Sequence, residues 1–252
     1  SIARLNSGTW QYNNDAGTSS ISGYDLDGTN SSAFSSFTSL SANSITAFNG
    51  AGFSDDGTKL YVFSHGDDTF YQFTLSTAWD ETTASYASKS FTPSSGNNWL
   101  VHSIRFNSTG TKMYVGGEGQ ARNTLYEYTL TTAWDISTAN ATATGNLPTR
   151  GVSGVTGECE NIQISPNGSY VYALDYQSGT LHRWSLNTAW DLSSRTSNSP
   201  DQTTTAPYSW STYCWGFDFS ADGSKLYITN GNPVGIGEWD LSTSWSISGL
   251  ST

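Results

Sequence analysis

From residue 45 onward, short runs rich in aromatic and β-branched residues alternate with clusters of Gly, Asp, Asn, Ser and Thr. In one stretch the runs are "KLYVFS" (59–64) and "TFYQFTL" (69–75), parted by "HGDD" and preceded by the turn signal "SDDG" (54–57). Such runs, bounded by Asp-Gly, Asn-Gly or Thr-Gly pairs, predict strands of an antiparallel meander. The pattern returns three times. "IRFNSTG-TKMYVGG", "IQISPNG-SYVYALD" and "FDFSADG-SKLYITN" are followed by "LYEYTLT", "LHRWSLN" and "IGEWDLS", and Tyr61, Tyr114, Tyr172 and Tyr227 share one position of the second strand.

Each copy closes on one element: "TLSTAWD" (74–80), "TLTTAWD" (129–135), "SLNTAWD" (185–191) and "DLSTSWS" (240–246). Its tryptophans, Trp79, Trp134, Trp190 and Trp245, fall 55, 56 and 55 residues apart. A fifth copy lies at the N-terminus, where setting Leu26 on Leu75 places Gly8 on Gly57 and Tyr12 on Tyr61. A period of this length is that of four-stranded propeller blades. The expectation is an all-β chain, one five-bladed β-propeller of four-stranded antiparallel blades of about 50 residues each. The blades would span 1–43, 44–97, 98–147, 148–207 and 208–252. Within a blade, strand A ends at the "DDG" turn, B carries the shared tyrosine, C ends before "TAWD" and D follows it. Seven residues precede Gly8 and only "SISGLST" follows Trp245, so the first inner and last outer strands are short. Either these ends fray, or a neighbouring chain or domain pairs with the open edges.

The pattern "FSDDGTKLYVFSHGDDTFYQFTLSTAWD" resembles the repeats ending in Leu-Ser-Thr-Ala-Trp-Asp of predicted secreted bacterial proteins and of marine phage structural proteins. More distantly it is similar to Tyr-Val-Thr-Asn and WD40 propeller repeats. The resemblance covers nearly the whole chain and implies a propeller in a secreted, surface or virion setting. It brings no catalytic residues, because the motif is a scaffold motif. This chain departs from it in the first unit, which lacks Trp-Asp, and in the last, where Ser246 replaces the aspartate.

Composition narrows the partners. A net charge of −11 with only 10 Lys+Arg leaves no basic patch for nucleic acid or an anionic membrane surface. No apolar stretch is long enough for a spanning helix, so no membrane insertion is expected. Asn-X-Ser/Thr sites at Asn30, Asn107, Asn140 and Asn167 fit an extracellular life, although a chain this rich in those letters produces them by chance. The three histidines take different repeat positions and the acidic turns lack a calcium-loop pattern, so neither metal nor cofactor is expected. Cys159 and Cys214 take equivalent positions on neighbouring blades, pointing the same way round the ring; two buried thiols are expected rather than a disulfide.

In a propeller the A–B and C–D connections share one face and the B–C and D–A connections the other. The Trp-Asp face hardly varies, which suits a scaffold: the indole filling the groove between blades, the aspartate accepting turn N–H groups. Five equivalent lectin-like pockets would require the indoles to be exposed. The other face differs in every blade. Three tryptophans outside the repeat, Trp99, Trp210 and Trp215, lie there with Tyr208, Tyr213, His102, Arg150, Glu158 and Glu160. Aromatic platforms with a few polar groups suit a sugar or peptide, and large aromatics also suit a plug for the channel mouth. The candidate ligand residues are Trp99, His102, Glu160, Trp210, Tyr213 and Trp215. Glu160 and Asp218, the main inner-strand carboxylates, fall on opposite sheet faces by strand alternation, a poor pair for glycoside hydrolysis.

Three functions follow. The first is a non-enzymatic extracellular or virion-surface recognition or adhesion module that binds cell-surface or matrix glycan through the variable face. The second is a structural subunit forming a homo-oligomer or a larger virion or filament assembly. The third is a glycan-active propeller enzyme.

Overall fold

The computed structural model describes residues 4–6, 9–11, 45, 48–94, 100–118, 124–149, 152, 155, 159–175, 178–205, 214–231 and 234–250. The strand runs read from the sequence are strands of antiparallel meanders. The first full sheet is β3 (Phe48–Phe53), β4 (Lys59–Ser64), β5 (Thr69–Leu75) and β6 (Ala84–Phe91). The second is β7 (Leu100–Phe106), β8 (Lys112–Glu118), β9 (Thr124–Thr129) and β10 (Gly145–Pro148). The third is β11 (Cys159–Ile164), β12 (Tyr170–Asp175), β13 (Thr180–Ser185) and β14 (Gln202–Thr205). The last has three strands, β15 (Cys214–Phe219), β16 (Lys225–Gly231) and β17 (Val234–Asp240).

These are the blades of a β-propeller, four among the described residues where five were expected. The first expected blade is described only as the hairpin β1 (Arg4–Asn6) and β2 (Thr9–Gln11), which brackets Gly8. Among the described residues the last sheet has three strands, and residues 241–250 contain turns and no strand.

First strands of successive sheets meet one another and so form the inner ring. Their approach is close: a Cβ on Gly50 would stand 2.7 Å from the Val101 carbonyl oxygen, and one on Gly52 2.7 Å from Ile104 Cγ2. Further round, Ser103 Oγ donates to the Ile162 carbonyl at 2.9 Å, and the Gln163 amide donates to that of Phe217.

Sheets stacked face to face bury both sides of their second strands, so β4 and β12 are buried at every position but the first. This is why "LYVFS" and "VYALD" read as continuous apolar runs, not as alternation. The outer strand β14 alternates half-buried and exposed residues. The core lies between blades. One cluster joins Tyr61, Phe63 and Phe70 to Ile104, Met113 and Val115; the next joins Tyr114 and Leu125 to Ile162, Val171 and Trp184; a third joins Tyr172 and Leu181 to Phe217 and Ile228. A fourth, with Leu60, Val62 and Phe73, is buried on the side of the first full sheet that faces away from β7–β10.

Candidate functional site

Each "TAWD" element folds back onto the A–B turn of its own blade. The tryptophan N–H donates to the turn glycine's carbonyl at 2.8–2.9 Å in all four units. Both partners adopt left-handed backbone: the glycines at φ 67–73° and the tryptophans at φ 62–66°. For glycine that geometry costs nothing steric; for tryptophan it costs roughly 1–2 kcal/mol and persists only because surrounding contacts hold it. The indole lies flat on the glycine, so a Cβ at Gly57, Gly110, Gly168 or Gly223 would stand 2.2–2.3 Å from ring atoms. The expected groove between blades is therefore only part of the indole's place. Its first neighbours are its own turn glycine and, in three blades, a phenylalanine of its own inner strand: Phe53, Phe106 or Phe219, at 5.2–5.4 Å between ring centres.

The aspartate does accept turn N–H groups, as the sequence implied. Asp80, Asp135 and Asp191 accept from Thr82, Ser137 and Ser193 at 2.9–3.1 Å and so cap a one-turn 3-10 helix. In the last unit Ser246 stands there, and no 3-10 turn forms. Carboxylates of the "DDG" turns are likewise consumed locally: Asp222 accepts from Ser220 Oγ, the Ser224 N–H and Ser224 Oγ, which holds it down to about 2. Among the described residues no three His, Cys, Asp or Glu side chains gather to hold a metal ion. Asn107 is buried, and its amide binds Thr109, Thr111 and the Lys112 N–H, so that sequon is spent on its turn.

The shared tyrosines bolt neighbouring blades together. Tyr61 Oη donates to the Trp134 carbonyl at 3.0 Å, Tyr114 to that of Trp190 at 2.6 Å and Tyr172 to that of Trp245 at 2.6 Å. Opposite each tyrosine on the third strand stands a second junction residue: Gln72, Glu127 or Arg183. Gln72 and Glu127 accept the N–H of Ile136 and Leu192 at 3.1 and 2.9 Å. Arg183 instead donates to the Trp245 carbonyl at 3.2 Å, and Gln202 takes over the Ile247 N–H at 2.9 Å. The invariant face is thus occupied by bonds within and between blades.

The variable face has a different regularity, one of backbone geometry. Each inner strand carries a register shift at its entry: between Phe48 and Gly50, Val101 and Ser103, Cys159 and Asn161, and Cys214 and Gly216. The extra residues are Asn49, His102, Glu160 and Trp215. They lie next to the residues paired with Ser64, Gly117, Asp175 and Asn230, at or one residue from the ends of the second strands, beside the B–C turns and opposite the Trp-Asp face. A bulge re-aims its extra residue and is favoured next to binding sites. Three of the six candidate ligand residues, His102, Glu160 and Trp215, are therefore brought to one structural position in successive blades. Trp99, Trp210 and Tyr213 lie outside the described residues. The bulge also removes the basis for reading Glu160 against Asp218 by strict alternation.

Cys159 and Cys214, each immediately before its bulge residue, are both buried thiols and not halves of a disulfide. Burial, with Asp175 adding to it, pushes Cys214 up to about 11. No described helix is long and apolar enough to cross a membrane.

No protein-family model matches the chain, and no curated protein sequence matches it. Solved structures do. A protein from Lactobacillus plantarum aligns over 77% of this chain and 53% of its own at 11% identity, TM-score 0.54. The β-propeller domain of Cps50 (Swd1) from Myceliophthora thermophila aligns over 81% and 58% at 13% identity, TM-score 0.53. The periplasmic gluconolactonase of Pseudomonas aeruginosa aligns over 80% and 52% at 14% identity, TM-score 0.52. The chain spans about half the length of these structures, and the likeness is one of fold.

Proposed function

We propose that the chain is a non-enzymatic recognition module of a secreted, cell-surface or virion-surface protein, binding glycan through the bulged, variable face of a five-unit propeller. One observation carries this reading. Four inner strands share a single backbone device, and it presents four unlike residues, Asn49, His102, Glu160 and Trp215, while the opposite face repeats its side chains from blade to blade. A constant scaffold with variable residues at one address suits recognition better than packing, which would reuse its residues as the Trp-Asp face does. The fifth unit is supported by burial of Val62 and Phe73, 2% and 1% exposed on the side of β3–β6 away from the second sheet. Five sheets seen down the axis of an experimental structure would confirm that count, and four would overturn it.

The test of recognition is glycan-array binding by the whole chain, compared with Trp99→Ala and Trp215→Ala. Binding that both substitutions abolish, with melting unchanged, supports the reading; turnover of any polysaccharide would move the protein to the glycan-active class. A specific observation favours the assembly reading second. Among the described residues β17 is an outer strand of a three-stranded sheet and carries Ile236, 48% exposed. Absence of glycan binding together with ordered polymers in electron micrographs would make assembly the function.

A further inference from the structure

At the outer rim of the second blade junction, a cleft of about 520 Å³ opens between the start of β10 and the segment after the third Trp-Asp element. It lies on the Trp-Asp side of the disc, away from the inner-strand bulges. Its lining residues include Thr144, Asn146, Arg195, Thr196, Ser197 and Asn198, all polar.

Arg195 is the anomaly. It closes the short 3-10 turn at the position held by Ala84 and Ala139 in the two preceding units, so the scaffold needs only a small side chain there. Its partners are neutral oxygens. Nη1 donates to the carbonyls of Asn146 and Leu192 at 2.6 Å each; Nε and Nη2 donate to Asn198 Oδ1 at 2.9 and 2.6 Å. Of five N–H groups, one on Nη2 is left over. By contrast, the junction cations Lys89, Lys112 and Arg183 each meet a carboxylate: Asp135, Glu127 and Asp201. The Nη1 bonds clamp β10 to the turn and give Arg195 a structural use, but a clamp requires donors only, not a charge. A half-buried guanidinium with no counter-charge among the described residues is costly, and burial pulls Arg195 below its ordinary value.

We propose that this cleft is a binding site for a carboxylate-bearing sugar, a hexuronate unit, with Arg195 supplying the ion pair. The guanidinium charge and its one remaining N–H, on Nη2, suit a single carboxylate oxygen, and the polar residues lining the cleft suit sugar hydroxyls. The volume falls within the usual range for small-ligand sites, roughly 300–1,000 Å³. The site is independent of the variable face and stands or falls separately from it.

Titration of the whole chain with sodium glucuronate, followed by amide chemical shifts, tests it, with glucose at the same concentrations as comparator. Expected are saturable shifts at residues 144–146 and 193–198 for glucuronate, at least tenfold weaker binding of glucose, and a tenfold or greater loss of glucuronate affinity in Arg195→Ala. Arg195→Lys should lose less. Because alanine is what the preceding units carry, Arg195→Ala should fold; if its melting transition is lost, Ser197→Trp takes its place, filling the cleft while leaving the clamp. Lost glucuronate binding in that variant supports the site. Absence of saturable binding, equal response to glucose, or affinity unchanged in the substituted chain overturns it.

Discussion

At the scale of single residues, the most constrained position in each blade is the turn glycine. Gly110 must adopt φ +67° and must also let the Trp134 indole rest where a Cβ would be, 2.3 Å away. Alanine there adds the left-handed penalty to an overpacking cost, roughly 2–4 kcal/mol together. Gly235 in β17 is the natural control, since a Cβ there would meet nothing within 4 Å. Chemical denaturation should therefore show Gly110→Ala strongly destabilised and Gly235→Ala within about 0.5 kcal/mol of the parent chain. Equal effects would mean that the indole does not rest on the glycine in solution. The repeat made these glycines visible as turn formers, but that each is also the floor beneath its blade's tryptophan needs the third dimension.

At the scale of elements, the structure is a series of sheets joined by the same bolt, and the bolts are not equally backed up. Among the described residues the Trp134 carbonyl is served by Tyr61 alone, whereas that of Trp190 receives both Tyr114 Oη and Lys112 Nζ, the latter at 2.7 Å. Removing a hydroxyl leaves the acceptor bare in the first case and still bonded in the second. Tyr61→Phe should thus cost about 1–2 kcal/mol and Tyr114→Phe clearly less, although the two tyrosines are equivalent by repeat. Matching losses in urea melts would contradict the asymmetry. The strands themselves were legible because their turn chemistry and apolar runs agree, and the recurring tyrosine marked one register position. Its partner was not legible, because the bond runs from one repeat to the main chain of the next, where no side-chain pattern records it. The bulges stayed hidden for the same reason: Asn49, His102, Glu160 and Trp215 share a backbone geometry and no side-chain chemistry.

For the whole molecule, the sequence conveyed the propeller class and the division between a constant and a variable face; it set His102, Glu160 and Trp215 at equivalent positions of successive repeats, and missed the Arg195 cleft because one arginine among serines carries no periodic signal. What the sequence could not convey at all is how burial tunes charge, and this shapes the response of the entire fold to acid. His182 is 1% exposed in β13, beside Trp184 and bonded to Thr203 at 3.2 Å. Burial lowers its proton affinity, against an opposing pull from Asp175. As pH falls through about 6.5 the unfolded chain binds a proton there before the folded chain does, so stability declines with pH until the folded ring also titrates. Asp135 and Asp191 act at lower pH by a shift in the same direction, downward, but from a different cause. At Asp135 burial raises the carboxyl but is outweighed by hydrogen bonds from Lys89 and Ser137; at Asp191 the bond from Ser193 leads. Both end below their ordinary value, so the stability they add is complete above about 3.9 and is lost as pH falls through their folded values. Unfolding free energy measured from pH 8 to pH 3 should therefore fall in two steps, the upper absent in His182→Asn and the lower retained. A single acid step, or an upper step that survives His182→Asn, would show that the buried histidine does not set the first.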